Sequence, residues 1–152
     1  MENKEIIDVL NTLVEINNDR IEGYEKASNE AEEAELKDLF ERLASTSRAN
    51  RIELVSEVRQ LGGEPEEGTR TSGKFFRAWM DVKAALTGKD RKAILSSCEY
   101  GEDAALNTYQ KVLENNSEDL LDHQISMIEA QYSMIRSDHD TVRSMRDSLV
   151  ES

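Results

Sequence analysis

Leu61-Gly62-Gly63-Glu64-Pro65-Glu66-Glu67-Gly68 is the stretch on which the reading of the fold turns. It holds three of the chain's seven glycines and its single proline. A glycine pair closing a periodic apolar run ends a helix, and a proline just beyond keeps it from resuming. On either side, breakers are sparse. Seven Gly and one Pro in 152 residues fall well below the usual combined share of about 12%. That scarcity excludes a turn-rich sandwich or barrel and leaves long helices.

Upstream, apolar residues recur in steps of three and four. Leu36, Leu39, Phe40, Leu43, Leu54, Val58 and Leu61 predict a helix over 34–61, and Ile6, Leu10, Leu13, Ile21, Tyr24 and Ala27 predict one over 3–31. Downstream, residues 62–90 form the one long connection. Within it, Lys74 to Leu86 reads as a short amphipathic helix that offers Phe75, Phe76, Trp79 and Leu86 to a neighbour. A third long helix is expected over 91–113. After the turn Asn115-Asn116-Ser117, a fourth is expected over 118–149, with Ser117 as its N-cap and Leu121, Ile125, Ile128, Tyr132, Ile135, Val142 and Leu149 along it. Tight turns thus join the first helix to the second and the third to the fourth, and a crossover joins the two hairpins. Each long helix spans roughly 35–45 Å, a length the crossover can retrace. The expected architecture is all-α: a single domain over 1–152, a ferritin-like four-helix bundle with one long crossover. Gly23-Tyr24-Glu25-Lys26-Ala27 and Thr108-Tyr109-Gln110-Lys111-Val112 echo one another, as two related hairpins would.

Charge narrows the partners. A net charge of -13 repels phosphate backbones and anionic lipid surfaces, so neither nucleic acid nor a membrane is expected. The longest apolar run is about three residues, far short of a span. Met1-Glu2-Asn3-Lys4-Glu5 lacks the layout of a signal peptide. One cysteine, Cys98, cannot form an internal disulfide. Together these point to the cytoplasm. No Gly-rich phosphate loop, strand-borne nucleophile or CxxC is present.

Written as seven-residue rows, every long helix is interrupted near its middle. Asn17 breaks the first helix, Ser47 and Asn50 the second, and Glu102 the third, while His139, with Arg136 on the turn before it, breaks the fourth. Such a layer is costly to bury unless its groups are paired. Di-metal carboxylate bundles place ligands at this level: one Glu from each of two helices and a Glu-x-x-His pair from each of the others. Here Asn17 stands at the first Glu, Ser47-Arg48-Ala49-Asn50 at the first Glu-x-x-His, Glu102 at the second Glu, and Arg136-Ser137-Asp138-His139 at the second Glu-x-x-His.

Gly101-Glu102 followed by Tyr109 is similar to the ligand helix of rubrerythrin-type proteins, and Phe40-Glu41 leading to Asn50 resembles their second helix with its last ligand replaced. Leu61-Gly62-Gly63-Glu64-Pro65, Trp79, Ala85-Leu86-Thr87-Gly88, Cys98-Glu99-Tyr100-Gly101-Glu102-Asp103 and His139-Asp140-Thr141-Val142-Arg143 extend the resemblance to a family of small bacterial ferritin-like bundles of unknown function, over residues 3–149. The resemblance implies the fold and no established reaction.

Two function classes follow. The preferred one is a non-enzymatic binding or assembly protein without a cofactor, its partner another protein or a second copy of itself as a homodimer. In that reading Arg136 pairs with Glu102 where a metal would sit, and Asn17, Ser47, Asn50 and His139 complete the hydrogen bonds. The alternative is a metal-binding (iron, zinc or manganese) or redox protein built on Glu102 and His139, with Glu99, Glu53, Glu22 or Glu129 supplying further carboxylates. Blander expectations cover the rest. His123 is expected at the surface and Cys98 in the core. Trp79 should pack the crossover helix onto the bundle, and the hydroxyls of Tyr24, Tyr109 and Tyr132 should face the polar layer.

Overall fold

The computed structural model describes residues 2–68, 74–88 and 90–151, with side chains for 3–68, 79–88 and 90–149. It is all-α, with five helices: α1 (Glu2–Glu30), α2 (Ala34–Gln60), α3 (Lys74–Gly88), α4 (Arg91–Asn115) and α5 (Asp122–Glu151). No strand occurs among the described residues.

The long helices form because each carries one narrow stripe that water does not reach. In α1 the stripe is Ile6, Leu10, Leu13, Asn17, Arg20, Tyr24 and Ala27, in alternating steps of four and three. α2 repeats it with Leu36, Phe40, Leu43, Ser47, Asn50 and Leu54, and α4 with Leu95, Cys98, Glu102, Ala105, Tyr109 and Val112. In α5 it is Gln124, Ile128, Gln131, Ile135, Asp138 and Val142. A stripe of this period holds one face toward its neighbours along the whole helix.

α1 packs on α2 and α4, and α5 packs on α2 and α4, while α3 lies against α4 and α1. Side-chain pairs show that these long-helix neighbours run antiparallel. Arg20 meets Ser47 and Asn18 meets Arg51 between α1 and α2. Asn17 meets Tyr109 and Tyr24 meets Glu102 between α1 and α4. Glu57 meets Gln124 and Asn50 meets Gln131 between α2 and α5. Tyr109 meets Gln131 and Glu99 meets Arg146 between α4 and α5.

The end of α2 follows the sequence reading closely. Gly62 takes φ 84°, its N–H donates to Arg59 O at 3.0 Å, and the Gly63 N–H donates to Val58 O at 2.9 Å. This paired arrangement is the Schellman stop, which favours glycine at the left-handed residue. Gly63 answers a different need: a Cβ there would lie 2.8 Å from Ile7 Cγ2 of α1. The chain is then strapped along α1. Asn11 Nδ2 donates to Glu64 O at 3.0 Å while its Oδ1 accepts the Glu66 N–H at 2.9 Å. Two turns on, Asn18 Nδ2 donates to Glu66 O and Gly68 O.

α3 runs two residues beyond the expected Leu86, burying Val82 and packing the half-buried Trp79 against the core. The expected contacts of Phe75 and Phe76 lie outside the described side chains. Asp90 caps α4 by accepting the Ala93 N–H at 3.1 Å.

The start of α5 departs furthest from expectation. α5 begins at Asp122, so Ser117 does not cap it. Residues 116–120 form a turn that tucks Leu120 into the core. The helix starts only after that anchor, where Gln124 Oε1 accepts the Leu121 N–H at 2.9 Å, as the third residue of a capping box does.

Candidate functional site

The interruptions in the stripes meet in one buried layer, organised by Arg20 from α1. Its Nε donates to Glu102 Oε2 at 2.9 Å and its NH2 to Glu102 Oε1 at 2.5 Å. NH1 donates to Ser47 Oγ at 2.5 Å, and NH2 also reaches Asp138 Oδ2 at 3.4 Å. Arg20, Ser47 and Glu102 have no exposed surface. Tyr24 adds its hydroxyl to Glu102 Oε2 at 2.8 Å, and its ring lies 5.5 Å from the guanidinium carbon.

A second half of the layer continues from Asn17. Its Nδ2 donates to Tyr109 Oη at 2.8 Å, Tyr109 donates to Gln131 Oε1 at 2.7 Å, and Gln131 Nε2 donates to Asn50 O at 3.3 Å. Every long helix therefore contributes to it. Asp138 receives a second cation from the rim, with Arg42 Nε 3.3 Å from its Oδ1.

The electrostatics follow from burial. Desolvation opposes the Arg20 charge, yet Glu102, Tyr24 and Asp138 outweigh it and hold the guanidinium above its ordinary pKa. Burial raises the Tyr24 hydroxyl, and the nearby Glu102 charge raises it further. Burial also raises Tyr109, against the hydrogen bond from Asn17. The Cys98 thiol, one turn before Glu102, is pushed up first by burial and then by that carboxylate. The layer thus holds Arg20 between two carboxylates, Glu102 and Asp138, while Tyr24, Tyr109 and Cys98 hold their protons more tightly than usual.

Four of the residues expected in the layer, Asn17, Ser47, Asn50 and Glu102, are brought together there. Arg136 requires a correction: its side chain is exposed and outside the layer. The buried stripe of α5 passes through Ile135 and Asp138, and the residue after Ile135 points about 100° away around the helix. The cation comes from α1, and α5 supplies Gln131 and Asp138. His139 is buried but does not reach the layer's ion pair. Its Nε2 lies 2.8 Å from Asp103 Oδ1 and 3.8 Å from Glu99 Oε1, and its Nδ1 lies 3.2 Å from Asp140 Oδ1.

The expected ligand pair is accordingly separated: Glu102 faces Arg20 and Tyr24, whereas His139 joins Glu99 and Asp103. Of the further carboxylates, Glu53 accepts from Gln131 at 3.4 Å, Glu22 pairs with Lys26 at 2.9 Å on the surface, and Glu129 is exposed. Tyr24 and Tyr109 direct their hydroxyls into the layer as expected, and Tyr132 is half-buried. His123 is exposed, with Nε2 2.8 Å from Glu57 Oε1.

A di-metal centre does not fit the layer. Both Glu102 oxygens are engaged by Arg20, the other groups at ligand level are an amide, a hydroxyl and another amide, and a buried guanidinium repels cations. The polar atoms there without a hydrogen bond are Asn17 Oδ1, Asn50 Nδ2 and Asp138 Oδ1; the amide donor cannot ligate a metal, and Asp138 Oδ1 already faces the Arg42 cation at 3.3 Å.

The residues that sequence reading missed are Arg20, Gln131 and Asp138. A signal for Arg20 exists. It occupies the expected step between Asn17 and Tyr24, on the same stripe as Leu13 and Ala27. Its charge is what argues for the surface.

No helix of the described residues is long and apolar enough to cross a membrane. Residues 5–115, 111 of the 152, match a family described as a domain of unknown function. The match stops at the end of α4, so α5 lies beyond it. No curated protein matches the chain.

Proposed function

We propose that this chain, which belongs to the family Domain of unknown function (DUF2383), is a non-enzymatic binding or assembly protein. In this reading it is a ferritin-like four-helix bundle whose di-metal centre has given way to an ion-pair layer. The antiparallel neighbours support the topology. With α1 antiparallel to both α2 and α4, the last two run the same way. The chain between Gln60 and Arg91 must therefore return along the length of the helices, as a ferritin-like crossover does.

The observation that carries the functional reading is the grip of Arg20 on both oxygens of Glu102. A positive side chain occupies the level where related bundles hold metal, where it pairs with Glu102 and also reaches the second buried carboxylate, Asp138. The layer then serves specificity of packing rather than turnover. Its role would be to fix the register of four helices that present an acidic surface to a protein partner or a second copy. A reducing, cytoplasmic setting agrees with the single buried thiol. The alternative, metal or redox chemistry through Glu102 and His139, draws no support from the layer, because His139 turns toward Glu99 and Asp103.

The test is oxidation of Fe²⁺ by dissolved oxygen, with and without the protein. The expected rate matches that of buffer. A several-fold acceleration that Glu102→Gln abolishes would overturn the proposal.

A further inference from the structure

About 100° around α4 from Cys98 and Glu102, at the residues that follow them, lies a cluster that the central layer does not use. We propose that Glu99, Asp103 and His139 form a mononuclear site for a divalent transition ion, with zinc as the best fit. This site is independent of the ion pair at the centre.

Helical spacing builds two of the ligands. Glu99 and Asp103 are four residues apart on α4, which places their carboxylates on one face about a turn apart. α5 packs antiparallel on that face and delivers His139 between them. The three candidate ligand atoms lie within 4.8 Å of one another, the one such group of three or more His, Cys, Asp or Glu among the described residues.

Distances fit a small ion. Bonds of about 2.0–2.1 Å in a tetrahedron set the ligand atoms roughly 3.3 Å apart. The observed separations from His139 Nε2 are 2.8 Å to Asp103 Oδ1 and 3.8 Å to Glu99 Oε1. They straddle that edge, so shifts of about 0.5 Å in side chains close the site. Two carboxylates neutralise a dication, and an imidazole selects zinc and its neighbours over magnesium or calcium, which prefer all-oxygen shells.

The surroundings prepare the ligands. Asp140 Oδ1 lies 3.2 Å from His139 Nδ1, which directs the Nε2 lone pair toward the carboxylates when Nδ1 donates. Arg146 holds Glu99 Oε2, leaving Oε1 as the oxygen that faces His139. The side chains of His139 and Glu99 are 11% and 17% exposed, but Asp103 is 55% exposed. The site is therefore walled on two sides and open on the third, where water or a partner's side chain can complete the coordination.

Titration of Zn²⁺ into the metal-free chain, followed by calorimetry, tests this. One equivalent is expected to bind. Asp103→Asn and His139→Gln should each weaken it at least tenfold, and the control Glu129→Gln should leave it unchanged. Asp103 is at the surface, so its variant should melt at the wild-type temperature without metal and keep the comparison valid if His139→Gln unfolds. Co²⁺ in place of Zn²⁺ should give the visible absorption of a four- or five-coordinate ion, lost in Asp103→Asn. No binding by the wild type, or equal binding by wild type and Asp103→Asn, would overturn the assignment.

Discussion

The guanidinium of Arg20 meets the carboxylate of Glu102 side-on, Nε to Oε2 at 2.9 Å and NH2 to Oε1 at 2.5 Å, with both side chains fully shielded from water. Two parallel charge-assisted bonds are the strongest geometry these groups offer. Ser47, Tyr24 and Asp138 take up donors and acceptors that would otherwise be stranded. The pair links α1 to α4, and its partners extend it to α2 and α5, so one contact fixes the relative height of all four long helices.

Removing one member of such a pair leaves a buried charge uncompensated, at a loss of about 3–5 kcal/mol. Arg20→Ala is expected to lose stability in that range. Arg136→Ala, on the surface, should stay within about 0.5 kcal/mol of wild type. Arg20→Lys keeps the charge but not the fork and should fall between them. Urea unfolding of the three variants decides; similar small losses throughout would show that the buried pair does not organise the layer.

Tyr109 relays between Asn17 and Gln131. Tyr109→Phe leaves Gln131 Oε1 without its donor in a dry site, which costs about 1–3 kcal/mol. The half-buried Tyr132, changed to Phe, should lose a fraction of that. Chemical denaturation of both variants tests the difference.

Gly63 has no room for a Cβ, which would meet Ile7 Cγ2 at 2.8 Å. That atom branches next to the backbone of α1 and cannot swing aside freely. Gly63→Ala should destabilise by about 1–3 kcal/mol through overpacking. A neutral effect on the melting temperature would mean that the connection after α2 yields easily.

Cys98 is buried, and its thiol is held well above the ordinary range by burial and by Glu102. Thiolate is the reacting form. Labelling by a disulfide reagent should therefore be slow in the native protein and should speed up in proportion to the unfolded fraction as urea is added. Prompt labelling without denaturant would contradict the burial.

The Glu57 carboxyl titrates below its ordinary 4.5. Burial alone would raise it, but hydrogen bonds from Gln124 and His123 prevail. A group whose pKa is depressed on folding contributes stability above its unfolded value and loses it as pH falls through the folded one. Stability should thus decline from about pH 4.5 downward, and Glu57→Gln should flatten that limb. Unfolding free energies measured from about pH 6 down to about pH 3 provide the comparison.

The helices themselves were legible in the residues. Alternating steps of three and four mark each stripe, and Leu61-Gly62-Gly63 with Pro65 marks the stop of α2, because local backbone chemistry suffices for both. The start of α5 was not legible. Ser117 is a good cap in isolation, but burial of Leu120 delays the helix by four residues from the expected Glu118 to Asp122. That is a tertiary contact overriding a local preference.

The amino-acid order alone determined that this chain makes long amphipathic helices and that each is interrupted by polar residues near its middle. Periodicity and breakers are properties of neighbouring residues, and they survive without any knowledge of packing. Which polar side chains face inward was decided only when the helices came together. A rotation of about 100°, one residue of helix, separates Ile135 from Arg136 and sends one into the core and the other into water. Arg20 could enter that core because Glu102, Ser47 and Asp138 arrive there from three other helices to meet its charge.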